Sequence, residues 1–482
     1  MTIDKVHWKI KTTFGLLLAF IFLAGPQLKL LAISTTFYDL GAYGHILFSY
    51  KSADSYAGGH VNIYLIPFAS LYKSLPGELA PHVLLLIQSL GLIVVAYRVF
   101  KNYSSTVFLF FVLAFPFWYL NLFDFHFEFI ALFLLNEFFI SLKRKRYAAC
   151  VCWTILLALS KELYIATAIF CGIYLIVSAF QSPIDAYRKK ILVVGFSILF
   201  VNCLIIIFVL NYVTNGFSSV TQGEHLSPFV ASSVDAIIGF APNFFEKFSF
   251  FNIFEFKNLI FVVGLLACFN FFPLRYLSPM VVVVPNIVVA CMSTDSQHAG
   301  LSSHYASMFL PAMAFASSRV LERKISSSPN VYSMFLVPVM TSILISPAPW
   351  GVRFLADMSA KYGFSAYLLR EEDALKKRKL DHYFSDRKDA SISVQNNFNI
   401  PVIFNRERVS AFPENVCVEV TESPAEYVVI DVDRPMFFRD RPVSKTQESR
   451  GVTSTCWRYL DEHFSLVFRY GGLTVLERRY LR

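Results

Sequence analysis

Eleven apolar stretches divide this chain, and the loops between them fall into two chemically distinct sets. One set is basic: Lys5, Lys9 and Lys11; Arg98 and Lys101; the run Lys143-Arg144-Lys145-Arg146; Arg188, Lys189 and Lys190; Arg275; and Arg319, Arg323 and Lys324. All of these fall on one side if the first stretch enters with its amino terminus in the cytoplasm, as the Lys/Arg bias of short loops predicts. The opposite loops hold Tyr38-Asp39, Gly59-His60, Asp124 to Glu128, Lys161-Glu162 and the segment from Asp295 to His304. The polar chemistry is therefore expected on the outer face.

The expected spans are 13–33, 80–100, 104–121, 128–143, 147–160, 163–180, 191–213, 256–273, 277–293, 304–321 and 330–348. Several are shorter than the roughly 20 residues of an upright crossing, so tilt or local thinning has to accommodate them. Composition agrees with a multi-pass membrane protein: 55% of residues are hydrophobic, 51 are Phe and only 16% are charged. The net charge of +9 would point to nucleic acid in a soluble domain. Here much of it sits in the orienting loops, so no nucleic-acid partner is expected.

The first stretch follows basic residues and ends near Ala32-Ile33-Ser34, which raises the question of a cleaved leader. Its length and the further spans after it favour a retained helix, with Lys29 near the outer end snorkelling to the interface. Six cysteines (150, 152, 171, 203, 268 and 291) lie in or beside apolar segments, where a thiol behaves as a small hydrophobe. Cys417 and Cys456 alone lie in the polar tail, and a disulfide between them is expected if that tail is exported.

An odd number of spans places the carboxyl terminus outside. Residues 1–349 read as the membrane domain, and the loop 34–79 holds amphipathic pieces, Gly41 to Tyr50 and Val61 to Tyr72, expected to lie at the outer interface. The Phe-rich stretch between Thr214 and Glu255 reads as another interfacial segment. After Trp350 charge rises and apolar runs shorten to strand length, so residues 350–482 read as a separate extracytoplasmic α/β domain. Its expected elements are a helix from Ala356 to Lys379, strands at Ser391 to Val394 and Tyr427 to Ile430, and a hairpin turning at Gly471-Gly472.

Three sets of residues carry potential chemistry. Asp39, among aromatic and apolar neighbours, is placed to act as a general base or metal ligand; it is placed equally well to cap the helix that follows. In Phe123-Asp124-Phe125-His126-Phe127-Glu128-Phe129 the polar side chains alternate with Phe. A strand would put Asp124, His126 and Glu128 on one face, whereas a helix would pair only Asp124 with Glu128. Such a set suits a divalent cation or a metal-phosphate pair, the plainer reading being a hydrogen-bonded elbow between spans. Lys161-Glu162 reads as a neutralised pair or as a phosphate-binding lysine held by its neighbour. His60, His298 and His304 are weaker candidates, although His304-Tyr305 opens a span and is placed to line a cavity.

Phe37-Tyr38-Asp39-Leu40-Gly41, Gly59-His60, the elbow Asp124-Phe125-His126-x-Glu128, Lys161-Glu162 and His304-Tyr305 together resemble the ordered motifs of a widespread prokaryotic family of predicted membrane proteins of unknown function. The tail, from Ala390 through Asn405-Arg406-Glu407 and Phe412-Pro413 to Asp431, is similar to that family's extracytoplasmic domain. The family in turn resembles the superfamily-C glycosyltransferases, integral enzymes that use polyprenyl-phosphate sugars at the outer face of the cytoplasmic membrane. The resemblance implies a helical bundle of that type with an acid in the first outer loop, matched here by Asp39, acting as base or metal ligand. This chain has one acid there and not the Asp-Asp pair of some branches, which leaves metal use open.

Those implications assign Asp39, His126 and Glu128 to catalysis, and Tyr38, His60, Asp124, Lys161, Glu162, His304 and Tyr305 to substrate binding. Asp39, Asp124 and His126 are the candidate metal ligands. The implied partners are a polyprenyl-phosphate-linked sugar, membrane lipid, and a glycan, lipid or protein acceptor. The rival readings are a transporter or flippase of a lipid-linked or amphipathic solute, and a non-catalytic membrane scaffold or sensor. Against a carrier, the sequence shows no repeat between halves.

Overall fold

The computed structural model describes residues 15, 19–31, 40, 47, 62–122, 124–181, 185–220, 255–292, 304–324, 331–348, 371–387, 389–395, 408–412, 416, 424–431, 436–438, 441–443 and 452–479. The molecule is mostly helical with a small carboxyl-terminal sheet. Its helices are α1 (Ala19–Leu31), α2 (Leu65–Ser74), α3 (Ala80–Asn102), α4 (Ser105–Leu113), α5 (Phe115–Leu122), α6 (Glu128–Lys143), α7 (Tyr147–Ala158), α8 (Glu162–Phe180), α9 (Asp185–Val220), α10 (Phe256–Cys268), α11 (Phe309–Lys324) and α12 (Val331–Ile345), then α13 (Glu371–Phe384) and α14 (Val452–His463) in the tail.

Among the described residues, three helical stretches are long and apolar enough to cross a membrane: Ala80–Asn102, Leu163–Phe180 and Arg188–Ile207. The expected span 104–121 is not one straight helix. It divides into α4 and α5, bent by 51° at Ala114, and counts as a fourth crossing when the pair is taken together. Pro116 explains the break, since it has no N–H to continue the α4 ladder; the indole of Trp118 donates to the Val112 carbonyl at 2.7 Å and restores one lost bond. The expected span 277–293 is likewise interrupted, passing from a 3-10 turn (Ser278–Val283) through Val284–Ile287 to a π turn (Val288–Met292), with Pro279 and Pro285 as the cause. Four more of the expected crossings, α1, α7, α10 and α12, are apolar helices shorter than a crossing needs, and α6 and α11 are helical without being long and apolar enough to cross. Three or four crossings therefore stand among the described residues, against the eleven expected.

Packing follows the rules of a lipid solvent. The α8–α9 crossing is tight because Gly172 and Gly195 face each other: a Cβ on Gly172 would stand 2.9 Å from the Gly195 carbonyl oxygen. Phe139 of α6 stacks on Phe315 of α11 with centroids 5.0 Å apart. Phe20, Phe196, Phe200 and Ile207 are exposed, as suits side chains facing hydrocarbon.

The tail is a three-layer α/β/α sandwich. Its strands are β1 (Ile392–Gln395), β2 (Val409–Phe412), β3 (Tyr427–Asp431), β4 (Met436–Phe438), β5 (Arg441–Val443), β6 (Phe464–Tyr470) and β7 (Leu473–Arg478). The main sheet has the order β2-β1-β3-β7-β6, with β1 parallel to β2 and β3, and β7 antiparallel to β3 and β6. Alternation along β3 sends Tyr427 and Val429 toward Leu380 and Phe384 of α13, and Val428 and Ile430 toward Cys456 and Leu460 of α14. Gly471 turns the hairpin at φ +55°, a left-handed conformation that favours glycine. Only 371–379 of the expected Ala356 to Lys379 helix falls among the described residues, and the helix there runs five residues further, to Phe384.

Candidate functional site

Five ionisable groups from three separate parts of the chain converge at one end of the bundle. Lys29, from α1, donates to Asp124 Oδ1 at 2.7 Å and to the Leu122 carbonyl at 3.0 Å. Lys161, just before α8, donates to Glu128 Oε1 at 2.9 Å, and His126 Nδ1 stands 3.4 Å from the other oxygen of Glu128. Lys29, Asp124, His126, Glu128 and Lys161 are all buried. Burial of so many charges is tolerable because each cation has a carboxylate at contact distance, the geometry that offsets desolvation.

The elbow that presents these groups is neither strand nor helix. Residues 124–126 are irregular, and α6 begins at Glu128. Asp124, His126 and Glu128 therefore do not share a single face: Asp124 turns to Lys29, while Glu128 stands between Lys161 and His126. Gln88, fully buried in the middle of α3, holds the elbow's backbone in this shape. Its amide donates to the carbonyls of Asp124 at 2.7 Å and Leu120 at 3.0 Å, and its carbonyl accepts from His126 N–H at 2.6 Å. Ser89 and Asn121 add a second tie, Ser89 to Asn121 at 2.8 Å and Asn121 to the Phe22 carbonyl at 2.7 Å. The alternating Phe residues are the elbow's packing: Phe125, Phe127 and Phe129 surround Phe68 of α2 at centroid distances of 5.8, 5.0 and 6.4 Å.

Two sequence-based expectations change. Lys29 does not snorkel; it is buried because a carboxylate and a carbonyl within reach replace the water an interfacial lysine would seek. Lys161 is bound to Glu128, a residue 33 positions away, and not neutralised by its neighbour alone. The side chains of Glu162, His304 and Tyr305 lie outside the described residues, as do Tyr38, Asp39, His60 and His298 altogether. Among the described residues, no three His, Cys, Asp or Glu side chains come together in a way that could hold a metal ion. Lys29 engages one oxygen of Asp124 and Lys161 one oxygen of Glu128, so neither carboxylate offers both of its oxygens to a cation. Gln88 and Lys29 are the members sequence reasoning missed. Their only signal was a polar residue inside an apolar span, which by default marks function or a buried partner.

A second polar group lies at the other end of the bundle. Arg98 grips Glu137 with a hydrogen bond of 2.6 Å from Nε, Lys143 bonds Glu322 at 2.6 Å, and Arg319 stands 3.6 Å from the same carboxylate. In the tail, Lys376 bridges Glu372 at 2.9 Å and Asp431 at 3.0 Å. Burial works against the charge on Lys376, but these two hydrogen bonds hold its pKa above the ordinary lysine value. Cys456 is disulfide-bonded and the six cysteines of the helical region are free; the expected partner, Cys417, lies outside the described residues.

Long apolar helices, exposed Phe and Leu side chains along them and, among the described residues, ion pairs at the two ends of the bundle define an integral membrane protein of helical type. The chain belongs to the family described as Predicted membrane protein (DUF2079), whose model matches residues 33–462. No curated protein matches it at the similarity that marks a relative.

Proposed function

We propose that this protein is a membrane glycosyltransferase that moves a sugar from a polyprenyl-phosphate donor to an acceptor at the outer face of a prokaryotic cytoplasmic membrane. The observation that carries the reading is the buried cluster of Lys29, Asp124, His126, Glu128 and Lys161, drawn from separate segments to one end of the bundle. Buried ionisable groups at a membrane face mark function by default, and lysines beside carboxylates are a means of handling a phosphate without a permanent net charge. In the reaction the acceptor hydroxyl attacks the anomeric carbon, the bond from that carbon to the phosphate oxygen breaks, and the hydroxyl proton passes to a base. Asp39 is assigned as that base, and His126 and Lys161 are assigned to the departing phosphate. Glu128 holds both of them in place.

The topology belongs to the same proposal: eleven crossings, amino terminus inside, tail outside. Its support is that every described ion pair of the bundle joins residues assigned to one side. Lys29 with Asp124 and Lys161 with Glu128 are outer; Arg98 with Glu137 and Lys143 with Glu322 are inner. Lys377 and Asp381 of α13 also act electrostatically on His82 and Glu78, at the end of α3 assigned to the outside. Reporter fusions after Arg146, Lys190 and Lys324 should read cytoplasmic and fusions after Glu128 and in the tail external; a cytoplasmic tail overturns the arrangement.

The decisive experiment compares lipid-linked and surface glycans by mass spectrometry with and without the protein. Glycans lacking one sugar support the transferase. An intact precursor that accumulates supports the rival transporter or flippase, and unchanged glycans leave the scaffold or sensor.

A further inference from the structure

Among the described side chains, the end of the bundle that holds Glu137 and Glu322 carries more cations than its carboxylates can balance. Among the described side chains there, Glu137 and Glu322 are the acids, and both are already engaged, Glu137 by Arg98 and Glu322 by Lys143 and Arg319. Around them Lys101, Arg144, Arg275 and Arg323 are exposed, and none has a carboxylate partner among the described residues. These cations are not scattered. Arg144 donates to the Asn102 side chain, which ties it to the end of α3 beside Lys101. Arg323 lies 5.5 Å over the ring of Tyr276, the neighbour of Arg275, and the Lys143–Glu322 bond joins the two halves of the rim.

Each half also sits at the end of an exposed apolar surface. On α3, Leu86, Leu90, Val94 and Tyr97 form one outward stripe at helical spacing, and Lys101 Nζ caps it 6.0 Å above the Tyr97 ring. Beside Arg275, Phe271, Leu274 and Leu277 are exposed in the same way. Cationic heads over lipid-facing apolar stripes match, in charge and in polarity, a phospholipid whose headgroup is anionic. A zwitterionic headgroup would leave the surplus charge unanswered.

We propose that the rim formed by Lys101, Arg144, Arg275 and Arg323 is a binding site for the phosphodiester headgroup of anionic phospholipids, whose acyl chains lie along α3 and the 271–277 segment. The site is distinct from the outer cluster and independent of the transferase reading.

The test uses the full-length protein in nanodiscs of phosphatidylcholine with and without phosphatidylglycerol, followed by native mass spectrometry of retained lipid. Phosphatidylglycerol should be retained about tenfold over phosphatidylcholine, retention should fall as salt rises, and each of K101Q, R144Q, R275Q and R323Q should lower it about fivefold. Melting temperatures in pure phosphatidylcholine should stay level, and a variant that fails this control is replaced by the corresponding Arg→Lys or Lys→Arg exchange, which should retain the lipid. Equal retention of the two lipids, or full retention by the Gln variants, overturns the proposal. Displacement of the lipid by millimolar inorganic phosphate also overturns it, because the rim would then be a free-phosphate site.

Discussion

Lys29 and Asp124, 95 positions apart in the chain, form a buried 2.7 Å ion pair that fastens the first described helix to the elbow between α5 and α6. Removing one partner leaves the other charge buried and unanswered, so Lys29→Met or Asp124→Leu alone should cost about 3–5 kcal/mol. The double substitution removes both charges and should recover most of that loss. Thermal unfolding in detergent checks it; single variants as stable as the wild type would show that water reaches the pair.

Asp39→Asn should abolish sugar transfer while protein levels and melting temperature stay near those of the wild type. Asn caps a helix as well as Asp does, so a merely structural Asp39 predicts a stability change within about 1 kcal/mol and normal glycans. Loss of a general base should slow turnover on the order of a hundredfold or more. Normal glycan formation by Asp39→Asn removes Asp39 from the chemistry.

Gln88→Leu should loosen the elbow without touching any charge. The carbonyls of Leu120 and Asp124 and the N–H of His126 would lose their buried partner, at a cost of about 1–3 kcal/mol. Gln88→Glu should be worse, since its carboxylate would face the same carbonyls. Equal melting temperatures for all three proteins would exclude Gln88 as the elbow's fastening.

The disulfide at Cys456 is expected to join Cys417, and Cys456→Ser should destabilise the tail by about 2–4 kcal/mol. Peptide mapping without reduction identifies the pair. Recovery of both peptides as free thiols from native membranes rules it out.

Asp381 carries a pH signal. Burial raises its pKa above the ordinary 3.8, with Glu78 adding to the rise and Lys377 opposing it. A carboxyl whose folded-state pKa is raised contributes its full stability below 3.8 and loses it as pH climbs through the raised value. Asp381→Asn should therefore raise the melting temperature of the full chain at pH 7, and the gain should shrink as the pH falls toward 4. A gain that is the same at both pH values would contradict this origin.

The sequence by itself determined a helical membrane protein with a mixed α/β tail. Apolar runs in lipid have to satisfy their backbone internally, while the alternation at 391–394 and the short β-branched and aromatic runs at 427–430, 466–468 and 473–476, two of them meeting at Gly471-Gly472, read as strands. It also marked Asp124, His126, Glu128 and Lys161 as out of place among Phe and Leu, because charge in such surroundings is costly wherever it ends up. Partner choice was a tertiary matter. Lys161 could be read locally against Glu162, and only the folding of the elbow onto the start of α8 gives it Glu128. Lys29 looked free to reach water until α1 packed beside the elbow, and Gln88 looked like one polar residue in a long apolar helix until three backbone groups closed around it. Local sequence sets what a residue costs to bury; which group offsets that cost is decided by segments that meet only when the chain is folded.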